Sequence, residues 1–333
     1  MTRVGALPDA RQPLPPETAR MAFEAVFDGD VGEDEVARFL VELAERGETM
    51  DEVVAAARVL RARMIPVEAP PGAIDVCGTG GDGKGSLNVS TAVAIVVAAC
   101  GVPVAKHGNR AASGRSGAAD VLRELGLDLD TSPAHAEATL ADLGIAFLFA
   151  ANHHPAMARV AGVRRRVGRR TIFNLLGPLS NPAEVKVQLV GVFAREWVAP
   201  MARVLGALGA QAALVVHGAD GLDEVSASGP TFAVAWADGR ADAWPDITPD
   251  SLGLPRHRPE ALNGGDAAFN AGALRRLLGG DRNAYRDIVC LNAAAALVTA
   301  QCCADMPDGI VRAAHAIDSG AARDLLARWI AYE

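Results

Sequence analysis

The chain has 333 residues, of which 50% are hydrophobic, 22% charged and 5% aromatic, with a formal net charge of −8. That composition belongs to a globular protein with room for one large domain or two smaller ones. The acidic balance speaks against a partner held by bulk attraction to a phosphate backbone, so no nucleic acid is expected, although a local basic pocket stays open.

Cys77, Cys100, Cys290, Cys302 and Cys303 lie in apolar segments without C-x-x-C spacing. They read as reduced, buried thiols rather than a disulfide frame or a zinc site. The first thirty residues are polar and proline-rich, without the apolar stretch of a signal peptide, and the longest apolar run, 92–102, is too short to cross a bilayer. No membrane partner is expected, and the chain reads as cytoplasmic.

In chain order, residues 1 to about 12 read as a loose tail. Segments 18–27, 33–46 and 50–63 carry apolar side chains at three- and four-residue spacing, which predicts short helices and a small helical unit. The proline-rich stretch 67–72 is the expected hinge. Strands are then predicted at 73–77, 102–106, 145–149, 185–193 and 212–217. Between them come helices at 91–100, 118–125, 133–143 with Ser132 as N-cap, and 155–167. This alternation predicts an α/β fold with a mostly parallel sheet, whose ligands bind at the carboxyl ends of the strands. Further on, 230–244 predicts a hairpin around Asp238-Gly239, and helices resume at Ala267, with 292–301 apolar enough for core.

The strand ends carry the chemistry. After the first comes Gly78-Thr79-Gly80-Gly81-Asp82-Gly83-Lys84-Gly85, a loop with five glycines ahead of a helix for which Asn88 or Ser90 is the N-cap. Strand, glycine loop and helix start form an anion-binding layout, because bare backbone N–H groups and the helix dipole face the guest. Gly78, Gly80 and Gly83 match G-x-G-x-x-G, but the acid expected about 20 residues on is missing, since Asp120 is the next after Asp82. Gly78 through Lys84 also fits G-x-x-x-x-G-K, but Gly85 stands where a magnesium-binding Ser or Thr belongs. The second strand ends in Lys106-His107-Gly108-Asn109-Arg110 and continues as Ala111-Ala112-Ser113-Gly114-Arg115-Ser116-Gly117, which suits phosphate. The fifth ends in His217-Gly218-Ala219-Asp220-Gly221-Leu222-Asp223-Glu224, which suits a hard divalent cation or is an ordinary acidic turn.

Taken with Asn88-Val89-Ser90-Thr91, His154-Pro155-Ala156-Met157, Thr171-Ile172-Phe173-Asn174-Leu175-Leu176-Gly177-Pro178-Leu179, Gly264-Gly265-Asp266 and Leu291-Asn292-Ala293-Ala294-Ala295, these motifs resemble the anthranilate phosphoribosyltransferase family over nearly the whole chain. The resemblance implies a small N-terminal helical domain, residues 1–70 with a helical contribution from about 155–182. It further implies a large α/β phosphoribosyltransferase domain over 73–333, with the active site at the hinge. The implied reaction moves the phosphoribosyl group of 5-phosphoribosyl 1-pyrophosphate onto the amine of anthranilate, with Mg2+, on the way to tryptophan. A homodimer is implied as well.

By the same resemblance, Gly78, Gly81, Asp82, Ser86, Asn88, Val89, Ser90 and Thr91 would hold phosphoribosyl pyrophosphate. Lys106, His107, Gly108, Asn109, Arg110, Ala111, Ala112, Ser113, Gly114 and Ala118 would complete that site. Gly78, Asn109, His154 and Arg164 would contact anthranilate, and Ser90, Asp223 and Glu224 would bind magnesium. Gly114, Arg115 and Ala118 depart from the family's usual serine, lysine and serine, yet main-chain N–H groups there can still take phosphate.

Displacing pyrophosphate from an anomeric carbon passes through a cationic, oxocarbenium-like state, so the leaving group must be neutralised and water kept out. The arylamine is already nucleophilic when neutral, and no catalytic base is assigned. A planar guanidinium at Arg164 can grip a carboxylate in a fork, whereas Arg165, Arg166, Arg169 and Arg170 read as a solvated helix end. His107 reads as a positioning residue, His154 as a pocket wall and His153 as surface. Two alternatives remain at this level: a nucleoside phosphorylase of similar fold, and a catalytically silent relative that binds nucleic acid. Asp223-Glu224 and Arg164 fit the first poorly, and the acidic charge disfavours the second.

Overall fold

Helical periodicity in the N-terminal fifth folds as α1 (Pro16–Asp28), α2 (Glu33–Arg46) and α3 (Met50–Arg61) in the computed structural model, which describes residues 6–110 and 116–332. The rest runs β1 (Ile74–Gly78), α4 (Val89–Ala99), β2 (Val104–Gly108), α5 (Ala118–Leu125), α6 (Pro133–Leu143), β3 (Ile145–Phe149), α7 (Ala150–His153), α8 (Pro155–Val167), α9 (Phe173–Leu176), β4 (Val187–Gly191) and α10 (Val198–Ala207). It closes with β5 (Ala212–Gly218), β6 (Thr231–Ala237), β7 (Arg240–Ile247), α11 (Ala267–Leu278), α12 (Ala284–Thr299), α13 (Met306–Asp318) and α14 (Ala321–Ile330). Local chemistry sets several of these ends. Thr49 and Glu52 form a reciprocal capping box on α3, and the Ser132 hydroxyl accepts from the His135 N–H at the start of α6.

Among the described residues the strands form one seven-stranded sheet in the order β3-β2-β1-β4-β5-β6-β7. The strands from β3 to β5 are all parallel, and the β6–β7 hairpin is added antiparallel on β5, turning at Asp238 and Gly239 with φ of 50° and 74°. The chain winds from β1 outward through β2 to β3, then returns to the other side of β1 with β4 and β5. The carboxyl ends of β1 and β4 therefore flank a topological switch point, where open α/β sheets leave a crevice.

Side chains alternate across the sheet. Val76, Leu189, Leu214 and Val216 join a core built with α4, α11, α12, α13 and α14. Their neighbours Cys77, Val190 and Val215 face the other way, into a core shared with α10 and the N-terminal helices. Val160, Val163 and Phe173, from α8 and α9, belong to that second core, where the Phe27 and Phe173 rings lie 5.8 Å apart.

Several expectations are corrected. The N-terminal segment is not loose from residue 7 onward: Leu7, Ala10 and Leu14 are buried, and the Leu14 N–H donates to the buried Glu52 carboxylate, which also takes Arg46 at 2.7 Å. A buried carboxylate needs such donors, and they fix the segment that supplies them. His153 is buried, not at the surface, because its Nδ1 reaches the Ile65 carbonyl at 3.0 Å across the joint between the two halves. The cysteines are free, but Cys302 is exposed and Cys100 half-buried. No described helix is long and apolar enough to cross a membrane.

Candidate active site

At the end of β1 the backbone turns through Gly80, Gly81, Gly83 and Gly85, all at positive φ between 61° and 75°, a region that side chains with a Cβ rarely enter. The loop is pinned on both flanks. The Thr79 N–H donates to the Gly191 carbonyl of β4 at 2.9 Å, and the Thr79 hydroxyl accepts from the Phe193 N–H at 3.0 Å. At its far end, Ser86 bridges to Asn263, and the Gly264 N–H donates to the Gly85 carbonyl. Asn88 precedes the first turn of α4, but its side chain does not cap the helix: Oδ1 instead accepts from Asn270, and the Tyr285 hydroxyl donates to the Asn88 carbonyl. Val89, Ser90 and Thr91 form the first helical turn, and the buried Thr91 hydroxyl has no hydrogen-bond partner among the described residues.

The acid loop after β5 lies directly against this turn. Asp223 accepts the Gly80 N–H at 2.8 Å, and a Cβ on Gly78 would come within 2.5 Å of that carboxylate. On Gly191 a Cβ would overlap the Asp223 carbonyl, so both glycines are needed for the two loops to meet. Burial, and then Asp82, push the Asp223 carboxyl up to about 6. Glu224 is also pushed far up, by burial and then by Asp223, while Lys106 and the Ser90 N–H pull the other way. Asp82 accepts the Lys84 N–H through Oδ1, and no donor among the described residues reaches its buried Oδ2. Three carboxylates thus crowd together with too few donors.

Beneath them, the β1–β2 pair carries a contrasting network. Lys106 is buried and donates to the Val76 carbonyl at 2.6 Å and the Ser90 hydroxyl at 3.1 Å, so it braces the helix start from below. Asp75, fully buried, accepts the His107 N–H at 3.1 Å and the Asn181 amide at 2.8 Å. The His107 ring places Nδ1 2.9 Å from the Gly177 carbonyl and Nε2 3.2 Å from Nε2 of His154. A carbonyl can only accept, so Nδ1 of His107 carries its proton and Nε2 receives one from His154. Burial lowers His107 to about 3 and His154 to about 4, which keeps both rings neutral at physiological pH.

Gly108 sits where a Cβ would strike the Phe147 ring, and the Cβ of Ala118, the first residue of α5, lies just beyond. Asn109 and Arg110 are exposed, with the Arg110 guanidinium 5.6 Å from the Phe149 ring. Ala111, Ala112, Ser113 and Gly114 lie outside the described residues. Arg164 is half-buried on α8, 5.7 Å from the Phe173 ring; burial lowers it, and among the described residues it has no ion-pair partner. Its neighbours differ: Arg166 pairs with Glu33 and Asp34 and Arg169 with Glu45, while Arg170 lies over Phe193 with its stem 3.5 Å from the place a Gly81 Cβ would take.

The structure thus brings together Gly78, Gly80, Asp82, Ser90, Lys106, Asp223 and Glu224, and separately His107 with His154. No hydrogen bond joins Arg164 to Gly78 or Asn109 among the described residues. Sequence reasoning missed Asp75, Asn181, Gly191, Asn270 and Tyr285 as supports of the site. Asp75 did carry a signal, a lone carboxylate inside an apolar strand. Asn181 and Gly191 carried none, because their roles arise only once distant strands pair.

A sheet switch point holding a glycine loop, a helix start and an acid loop, with a helical unit alongside, is the layout of two-part glycosyl transferases. The family model described as "Glycosyl transferase family, helical bundle domain" matches residues 9–64, and "Glycosyl transferase family, a/b domain" matches 70–323. Similar curated proteins include the anthranilate phosphoribosyltransferase of Rhodospirillum rubrum, 54% identical over 96% of this chain and 92% of its own. That of Novosphingobium aromaticivorans is 54% identical over 98% of each. The anthranilate phosphoribosyltransferase of Thermus thermophilus superposes with a TM-score of 0.92 at 43% identity, covering 99% of both chains. The Saccharomyces cerevisiae enzyme, solved in complex with PRPP and Mg, gives 0.86 at 29% identity over 96% of this chain and 93% of its own. The chain belongs to the anthranilate phosphoribosyltransferase family.

Proposed function

We propose that this chain transfers the phosphoribosyl group of 5-phosphoribosyl 1-pyrophosphate to the amine of anthranilate, giving N-(5-phosphoribosyl)anthranilate and pyrophosphate in tryptophan biosynthesis. The observation that carries the reading is the Gly80–Asp223 contact, which fuses an anion-binding glycine loop to a carboxylate pair at the sheet's switch point. An anion receptor beside acids calls for a cation between them. The donor set fits magnesium: two carboxylates and the Ser90 hydroxyl are hard oxygen ligands, and Asp82 Oδ2 is buried without a donor among the described residues. The described residues hold no group of three or more His, Cys, Asp or Glu able to bind a metal ion, so further ligands to a bound ion would have to come from substrate and water. Bound there, magnesium would neutralise charge gathering on the departing pyrophosphate.

In this reading Gly78, Gly81, Asp82, Ser86, Asn88, Val89, Ser90 and Thr91 form the floor for phosphoribosyl pyrophosphate. Gly108, Asn109, Arg110 and Ala118 stand on its second side. Lys106 serves that site from beneath, through Ser90. Arg164 takes the anthranilate carboxylate, its freedom from any acidic partner among the described residues being what such a role requires. His107, on the phosphoribosyl pyrophosphate side, and His154, which lines the anthranilate pocket with Gly78 and Asn109, are neutral and tautomerically fixed and add no charge. The helical domain spans 1–70 with help from about 155–182, and the α/β domain 73–333. The working form is a cytoplasmic homodimer.

The test mixes purified protein with anthranilate, phosphoribosyl pyrophosphate and Mg2+ and follows anthranilate fluorescence with and without chelator. Magnesium-dependent loss of the signal is expected. A folded protein that leaves the fluorescence unchanged overturns the reading, and phosphate-dependent cleavage of a pyrimidine nucleoside would replace it.

A further inference from the structure

Asn292 lies in the middle of α12 with no exposed surface, surrounded by alanine and leucine. Its Oδ1 accepts the Val225 N–H at 2.8 Å, and its Nδ2 donates to the Val225 carbonyl at 2.9 Å and to the Ile288 carbonyl at 2.8 Å. Both amide protons and one oxygen lone pair are thereby used. Val225 directly follows Glu224 and is itself fully buried. Holding its N–H and its carbonyl at once fixes the peptide planes on either side of it, and the first of those planes carries the Glu224 carbonyl. The direction in which Glu224 leaves the backbone is therefore set from the helix core.

A second contact from the same helix face reaches the other half of the site. Tyr285, two turns before Asn292 and ~10.5 Å away along the axis, donates its hydroxyl to the Asn88 carbonyl at the start of α4. One rigid helix thus holds the turn that bears Ser90 and the loop that bears Asp223 and Glu224, and sets the distance between them.

We propose that Asn292, acting through Val225 and together with Tyr285, is a positioning residue for the magnesium-binding oxygens of Ser90, Asp223 and Glu224. This rests on the reading of those residues as the metal site. Groups that orient metal ligands commonly change affinity by ~10- to 100-fold when removed, because a ligand displaced by even part of an ångström no longer meets the ion's preferred geometry.

The experiment uses the full chain with phosphoribosyl pyrophosphate and Mn2+, reading protein-bound metal by water-proton relaxation enhancement, alongside Mg2+ activation curves. For Asn292→Ala the Mn2+ dissociation constant should rise about tenfold. The half-saturating Mg2+ should rise with it, the anthranilate KM should stay unchanged, and excess Mg2+ should restore kcat. A variant with a lower Tm but wild-type metal affinity overturns the proposal, leaving Asn292 as a filler of buried polar groups. If Asn292→Ala does not fold, the isosteric Tyr285→Phe must shift half-saturating Mg2+ in the same direction, and no shift overturns the proposal. Asp223→Asn serves as the reference: if it too leaves Mn2+ binding untouched, the metal-site reading has failed, and the role of Asn292 falls with it.

Discussion

Two sets of buried carboxylates, Asp75 within β1 and Asp223 with Glu224 in the loop after β5, are built on opposite terms. Around Asp75, each carboxylate oxygen has its own donor, from His107 and from Asn181, and the nearby Lys106 charge offsets part of the cost of burial. Around Asp223 and Glu224 carboxylates crowd together under burial: Asp82 raises the proton affinity of Asp223, and Asp223 and Asp82 raise that of Glu224. Burial still raises the Asp75 carboxyl, but its partners all come from its own chain and all oppose that rise. The second, opposed within the chain by Lys106 and the Gly80 and Ser90 N–H groups without being offset, calls for something positive from outside. Satisfied polar groups mark the scaffold, and unsatisfied ones of a single sign mark where the ligand goes.

The largest effect should come from disturbing the unsatisfied cluster. Asp223→Asn or Glu224→Gln should lower kcat by roughly 100- to 1,000-fold in steady-state assays at saturating substrates, the scale seen when one group stabilising transition-state charge is lost. Arg164→Ala removes a charged hydrogen-bonding partner of anthranilate and should raise the anthranilate KM by about 30-fold, with the phosphoribosyl pyrophosphate KM little changed. Equal effects on both KM values would place Arg164 outside the anthranilate pocket.

In the satisfied cluster the cost should fall on the fold instead. Asp75→Asn should reduce unfolding free energy by about 2 kcal/mol in denaturant titration, while leaving half-saturating Mg2+ as in the wild type. A shift in the metal response would erase the distinction between the clusters.

The smallest effect is on pH. A carboxyl held at about 6 in the folded chain binds a proton that the unfolded chain has already released between about pH 4 and 6. Its contribution to stability is therefore greatest at the acidic end and is lost as pH rises through about 6. A divalent cation competes with that proton, so Mg2+ near a hundred times its dissociation constant should raise Tm by about 4 °C at neutral pH and much less near pH 5. Equal shifts at both would mean the ion binds elsewhere.

Much of this was legible in the sequence, for identifiable reasons. Helices such as α2, α5, α6 and α8 have ends written locally, in glycine, proline and capping residues, and their limits match the periodicity. Strand ends are set by partners instead: residues 185–193 all read as strand, but only Val187–Gly191 find register with β1 and β5. The glycine loop and the acid loop were visible as motifs, yet nothing in either announced that they touch. Gly191 and Asn292 looked like one more glycine and one more polar residue in an apolar run until pairing brought them against Asp223 and Val225. The N-terminal segment misled because Leu7, Ala10 and Leu14 bury themselves without forming a helix.

The core shared by α1–α3, α8–α10 and one face of the sheet bears on how the chain can be cut. Although the two family models divide at residues 64 and 70, Phe27 leans on Phe173, and Arg61 donates to the carbonyls of Leu179 and Leu208 across that division. Truncation at the boundary would strip the lower sheet face of its cover, leaving a fragment prone to aggregate rather than a free-standing catalytic half. The intact chain should melt in one cooperative transition, with both halves losing structure together.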